Sequence, residues 1–155
     1  MEESRADRPG VVAPPPLIYL GGGVVGWGLQ RLLPWRLPPR AGWEIGLVIV
    51  LLGAAVALWA VATMTSARTP VDPNRAVTQV VTRGPFRWSR NPIYMSLSAI
   101  LLGAGVMANS AWIVIMLVPV LLVMRQGVIV REERYLAGKF GDEYRLYCAR
   151  VRRWL

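Results

Sequence analysis

Long apolar runs, broken by short arginine-rich segments, constrain this chain more than anything else in it. The runs have the length of a bilayer crossing and lack the i, i+3, i+4 spacing by which a soluble helix buries one face. Hydrophobic residues make up 54% of the sequence and charged ones 17%, a balance that a water-soluble core of this size does not need. The expected class is an all-α integral membrane helical bundle, with about four transmembrane helices and a C-terminal interfacial helix. With 155 residues in all, little is left beyond the spans and their connections, so one domain is expected over residues 17–155.

In chain order, residues 1–16 mix charges with Pro14, Pro15 and Pro16 and lack the basic-then-apolar layout of a cleavable signal. They read as a flexible tail. Spans are expected at about 17–33, 43–65, 92–108 and 111–130, followed by a cytoplasmic segment 131–155. Gly22 and Gly26 have the spacing that lets membrane helices approach closely, and Gly53 and Ala57 share a face of the second span. Residues 34–40, with prolines at 34, 38 and 39, form a tight connection. Between spans two and three, the β-branched residues 77–82 suggest an extended, strand-like segment leading into a turn at Gly84 and Pro85. Asn109 and Ser110 leave so short a link that the fourth span must return beside the third. Pro119 predicts a kink in that fourth helix, which is expected to continue to about Ala137. Tyr144, Tyr147, Cys148 and Val151 fall on one face of a last, short amphipathic helix expected at the membrane boundary.

The formal net charge is +9. A soluble chain so basic would be read as a nucleic-acid binder, but here anionic headgroups and membrane topology explain the charge, and no nucleic acid is expected. Fifteen of the 18 Lys and Arg fall in the tail, the 66–90 loop and the segment from Arg125 onward. The positive-inside rule therefore puts both termini and that loop in the cytoplasm, the inner-membrane orientation if the protein is bacterial. Histidine is absent and Cys148 is the single cysteine. That excludes a histidine general base, intrachain disulfides and the usual zinc sites, and no metal is expected. Cys148 reads as a packed residue.

The chain is organised around residues 83–94, RGPFRWSRNPIY. Asn91 is suited to cap the third span and Pro92 to occupy its first position, where the missing N–H costs nothing. With both hairpin helices rising ~1.5 Å per residue from the 109–110 turn, Tyr94 mirrors Arg125, Asn91 mirrors Val128 and Trp88 mirrors Arg131. The Arg131, Glu132 and Glu133 group should then stand beside the arginine-rich entry. Taken singly, each of these residues has a plain explanation as headgroup anchor, helix cap or interfacial aromatic. Their convergence at one depth favours a site.

The two blocks GPFRWSRNPIY and EERYLAGKFGDEYRLY resemble the integral membrane methyltransferases that include isoprenylcysteine carboxyl methyltransferase and phosphatidylethanolamine N-methyltransferase. The shared pattern is Gly-Pro-aromatic-Arg, then Arg-(His or Asn)-Pro-x-Tyr, then Glu-Glu-x-x-Leu-x-x-x-Phe-Gly-x-x-Tyr-x-x-Tyr. It runs from about Val77 to Tyr147. The resemblance implies S-adenosylmethionine as cofactor, a lipophilic or small membrane-partitioning methyl acceptor and membrane lipids as partners. It implies a cofactor pocket lined by Thr78, Gln79, Val80, Val81, Phe86, Asn91, Pro92, Ile93, Tyr94, Glu132 and Glu133. Glu132 and Arg131 are implied as catalytic, and Arg125 and Arg131 as holding an anionic substrate group. Three departures stand out. Members acting on isoprenylcysteine carry histidine at the position of Asn91 and arginine at that of Val128, and the family's closing Val-Pro-Arg is here Val151, Arg152, Arg153. Outside the enzyme class, the alternative is a non-catalytic membrane protein binding anionic lipid or a partner through its basic face. A transporter ranks last, because no charge lies mid-span.

Overall fold

The computed structural model describes residues 9–38, 42–72 and 75–154. Arg5, Arg8, Pro39 and Arg40, which entered the charge and connection readings, lie outside them. Among the described residues every regular element is helical. The helices are α1 (Pro15–Leu32), α2 (Trp43–Ser66), α3 (Pro92–Met107), α4 (Ala111–Ile115), α5 (Leu117–Met124) and α6 (Val130–Arg150). A 3-10 turn, Gly84–Arg87, precedes α3, and a π-helical turn, Arg125–Ile129, joins α5 to α6.

Two of these are long and apolar enough to cross a bilayer by length and composition: α2, with 24 residues, and the nearly continuous run Ala111–Arg150. The apolar α3 is shorter, at 16 residues, or ~24 Å of helix. Pro119 acts where sequence places it. Its ring cannot donate to the carbonyl four residues earlier, and the helix is interrupted at Met116 before resuming as α5. The chain stays helical beyond Ala137 until Gly141, whose φ of 52° and ψ of −121° bend it sharply. The last helix expected from sequence is therefore the part of α6 beyond that bend. Its tyrosine face, however, turns inward: Tyr144 and Tyr147 are buried and Leu146 is exposed.

Small residues set the helix contacts. Gly26 lets α1 meet α4, since a Cβ there would lie 2.7 Å from Ile113 Cα. Gly46 and Gly103 let α2 and α3 touch backbone to backbone, with added Cβ atoms 2.6 and 2.7 Å from the opposing carbonyls. Gly53 does the same lower on that seam, against the Ser96 carbonyl at 3.0 Å. A core of Tyr19, Tyr94, Leu101, Ile113, Val120, Met124, Val128 and Ile129 fills the space between α1, α3 and the α4–π–α6 run.

The end of the bundle carrying the 108–110 turn is tied shut. Asn109, at φ 48°, accepts the Leu37 N–H at 3.1 Å, and the Ala111 N–H donates to the Trp35 carbonyl at 2.9 Å. Ser110 caps α4 by accepting the Ile113 N–H. Trp112 donates to the Leu33 carbonyl at 2.7 Å. Residues 9–16, the 67–91 loop and α6 gather at the other end, where they enclose a cavity.

The 77–82 segment in that loop is irregular, not a strand. Its side chains bond the backbone just past the end of α2: Thr78 Oγ1 donates to the Arg68 carbonyl, and Gln79 Nε2 to that of Ala67. The loop ends on Gly84, at φ 59°, where a Cβ would sit 2.6 Å from Thr63 Oγ1. Only glycine fits there without strain.

Candidate active site

The cavity has a volume of about 400 Å³, within the range of small-molecule sites. Its wall contains Gln79, Val80, Val81, Phe86, Asn91, Pro92, Ile93, Tyr94, Glu132 and Glu133. Of the residues implied as cofactor-binding, Thr78 alone is absent, because its hydroxyl is turned to Thr69 and Arg68.

The polar centre is a bond across the hairpin. Tyr94 on α3 donates its hydroxyl to Glu132 Oε1 on α6 at 2.6 Å, the short distance of a charge-assisted bond. The simple mirror rule had paired Tyr94 with Arg125. Tyr94 leans toward the helix N-terminus, as helical side chains do, which carries its hydroxyl toward the rim. The π-turn before α6 contributes the rest. It inserts about one residue relative to a continuous α-helix, so the direction that Arg131 would occupy is taken by Glu132.

The arginines expected beside the substrate are therefore not in the cavity wall. Arg131 is exposed and donates to the Gly10 carbonyl at 2.8 Å, holding the N-terminal segment. Arg125 is exposed too, six residues earlier at the start of the π-turn. Among the described residues, the cation that does line the cavity is Arg90. Its Nη1 lies 3.2 Å from Glu133 Oε1 and donates to Cys148 Sγ at 2.8 Å.

Asn91 occupies the N-cap position of α3, but its side chain makes no capping bond. Its amide donates instead to the Arg153 carbonyl at 3.0 Å, a corrected role for that side chain. The backbone N–H groups at the start of α3 consequently remain without a side-chain cap, an electropositive patch on the cavity wall. Glu133 is gripped by Arg153, whose Nε and Nη2 reach its two oxygens at 2.9 and 2.6 Å. That fork pushes the Arg153 pKa up. Glu132 has no arginine among the described residues. Burial pushes its carboxyl up to about 7, the Tyr94 bond opposes that rise and the neighbouring Glu133 adds to it.

Several wall residues escaped the sequence reading. Tyr144 and Tyr147 were recognised as one face, but periodicity does not name what a face packs on. Tyr147 donates to the Phe86 carbonyl at 2.8 Å, and desolvation raises the pKa of both phenols. Pro9, Pro14, Pro15 and Pro16 also line the cavity, held by a Val12 N–H bond to the Gly127 carbonyl at 3.1 Å. Nothing in the composition of that tail signals such a contact.

An acid, a tyrosine and an uncapped helix start thus meet at one rim of an apolar helical bundle, the architecture of a membrane protein with a polar cavity at its boundary. Residues 43–143 match the phospholipid methyltransferase family, and the chain belongs to that family. Membership supports a membrane-embedded enzyme that transfers methyl groups. A protein of Haemophilus influenzae described only as uncharacterized is 49% identical over 65 residues, which are 41% of this chain and the whole of that protein. No solved structure matches the chain.

Proposed function

We propose that this protein transfers a methyl group from S-adenosylmethionine to a lipophilic or membrane-partitioning acceptor at the cytoplasmic face of the membrane. The observation that carries the reading is the Tyr94–Glu132 bond, which joins the two sequence blocks inside one cavity. The proposed topology has four crossings: α1, α2, α3 and the run from Ala111 to about Val130. Both termini and the 67–91 loop are then cytoplasmic, in keeping with the arginines gathered at the cavity end.

The wall suits the proposed cofactor. The carboxylates of Asp72, Glu132 and Glu133, the Arg90 guanidinium, an uncapped helix start and the rings of Phe86, Tyr94, Tyr135, Tyr144 and Tyr147 offer partners for cationic, anionic and aromatic parts of a ligand. S-adenosylmethionine supplies an electrophilic methyl on a cationic sulfonium. Glu132 attracts positive charge, and the aromatic rings do the same more weakly. The first N–H groups of α3 receive a carboxylate. The apolar remainder of the wall excludes water, and alignment carries most of the rate, so no catalytic triad is required. Where the acceptor is an amine, Glu132 serves in this reading as the base that takes its proton; a carboxylate or thiolate acceptor needs no base.

The test uses the full chain purified in detergent. Radiolabelled methyl transfer into membrane lipid extracts should give a labelled, extractable product, and calorimetry should show S-adenosylmethionine binding that weakens in Glu132→Gln. Absence of both, with retained binding to anionic vesicles, would replace this reading with that of a non-catalytic lipid-binding protein.

A further inference from the structure

Glu132 and Glu133 are neighbours on one helix and both line one cavity, yet their surroundings differ. Both oxygens of Glu133 are taken by the Arg153 fork, and one also faces Arg90. Arg153 belongs to a tail, residues 151–154, that leaves α6 and lies against the start of α3. There the Arg90 N–H donates to the Arg152 carbonyl at 3.0 Å. Ser89 Oγ and Asn91 Nδ2 both donate to the Arg153 carbonyl, at 3.2 and 3.0 Å. Trp154 packs on the core beyond it. The tail thus bridges the two sequence blocks, holding the side chain of one and the backbone and side chains of the other.

We propose that this tail is part of the site, with Arg153 a positioning residue that engages Glu133 and Asn91 and so leaves Glu132 as the acid that meets the ligand. The physical reason is Coulombic. Two adjacent carboxylates at one buried rim oppose each other's ionisation, and a forked arginine on one of them relieves the other. The other titratable groups gathered around Glu132 and Glu133 are Tyr94 on α3, Arg90 ahead of it, Asp72 in the loop, Tyr135 on α6, Tyr144, Tyr147 and Cys148 beyond the Gly141 bend, and Arg153 in the tail. Residues 9–16 contribute none. Arg90 and Arg153 are the cations among these, and both point at Glu133.

This inference rests on the methyltransferase reading for its ligand, but its first readout needs no ligand. The protonated-carboxyl infrared band of the full-length protein, assigned by its loss in Glu132→Gln, is followed from pH 5 to 9. Arg153→Met should raise the midpoint by roughly half a pH unit to one, and Glu133→Gln should lower it by a similar amount. The double variant should fall at or below the parent. Arg153→Lys keeps the charge but loses the fork, so it should retain the fold and give a smaller rise. Calorimetric titration with S-adenosylmethionine at pH 7 should show several-fold weaker binding in Arg153→Met and recovery in the double variant. Shifts of Arg153→Met and Glu133→Gln in the same direction, or no shift in either arginine variant, overturn the proposal. Shifts as expected with no binding in the parent leave the positioning role standing and remove the methyltransferase reading.

Discussion

The two ends of the bundle are built on opposite plans. At the 108–110 end, a three-residue link and a tryptophan pair close the helices with backbone and amide bonds, such as Leu37 to Asn109 and Trp112 to Leu33. At the other end, a long loop, a π-turn and the segments 9–16 and 151–154 surround a cavity with carboxylates, arginines and phenols. The first end has bonds that fix geometry. The second has groups whose charge can change, and several are tied down by residues remote in sequence. Short connections make a hairpin inevitable, whereas long ones let distant segments build a site.

The sharpest way to break this contrast is to remove the acid. Glu132→Gln should lower cofactor affinity and methyl transfer by ~100-fold, the size of a lost charge-assisted bond of ~2–3 kcal/mol, with little change in melting temperature. A loss below threefold would show that the cavity end is scaffold, like its counterpart. Tyr94→Phe removes the donor that positions Glu132 and should cost ~10-fold, or ~1–2 kcal/mol, in the same assays.

Acidity distinguishes the ends in a second way. Glu132 titrates near 7 rather than in the usual carboxylate range. Below that pH the carboxyl is neutral, and above it negative, so a cationic ligand should bind more tightly as pH rises through about 7 and then level off. An ordinary glutamate would already be fully ionised by pH 6. The profile should flatten in Glu132→Gln, and a parent profile flat from pH 5.5 to 8.5 would refute the assignment.

Smaller effects should appear in stability. Gly84→Val forces a side chain into a left-handed backbone beside Thr63 and should cost ~2–3 kcal/mol. Because it precedes Phe86 in the cavity wall, affinity should fall with it. Asn109→Ala, at the closed end, should cost only ~1 kcal/mol and leave affinity unchanged. Thermal melts and calorimetry on the same samples separate these outcomes.

Much of the plan was legible in the residues. Helix positions followed from apolar run length, the break near Pro119 from its missing donor, and the return of α4 beside α3 from the short 109–110 link. The approach of the acidic block to the arginine-rich entry followed from that hairpin. The role of the C-terminal tail did not, because Arg153 reaches Ser89 and Asn91 across more than sixty residues, and no local pattern records such a meeting. The strand-like reading of residues 77–82 failed for a related reason: β-branched residues favour extended backbone, but among the described residues no partner strand pairs with them.

Sequence alone determined the helical membrane class, the order of its elements and the end of the bundle where chemistry gathers, since these depend on hydropathy, breakers and link length. Tertiary structure alone decided which of three adjacent charged residues faces Tyr94. A single π-turn rotates everything after it by about one residue, and its Val128 and Ile129 are fully buried among core residues from other helices, a meeting that the five residues of the turn do not record.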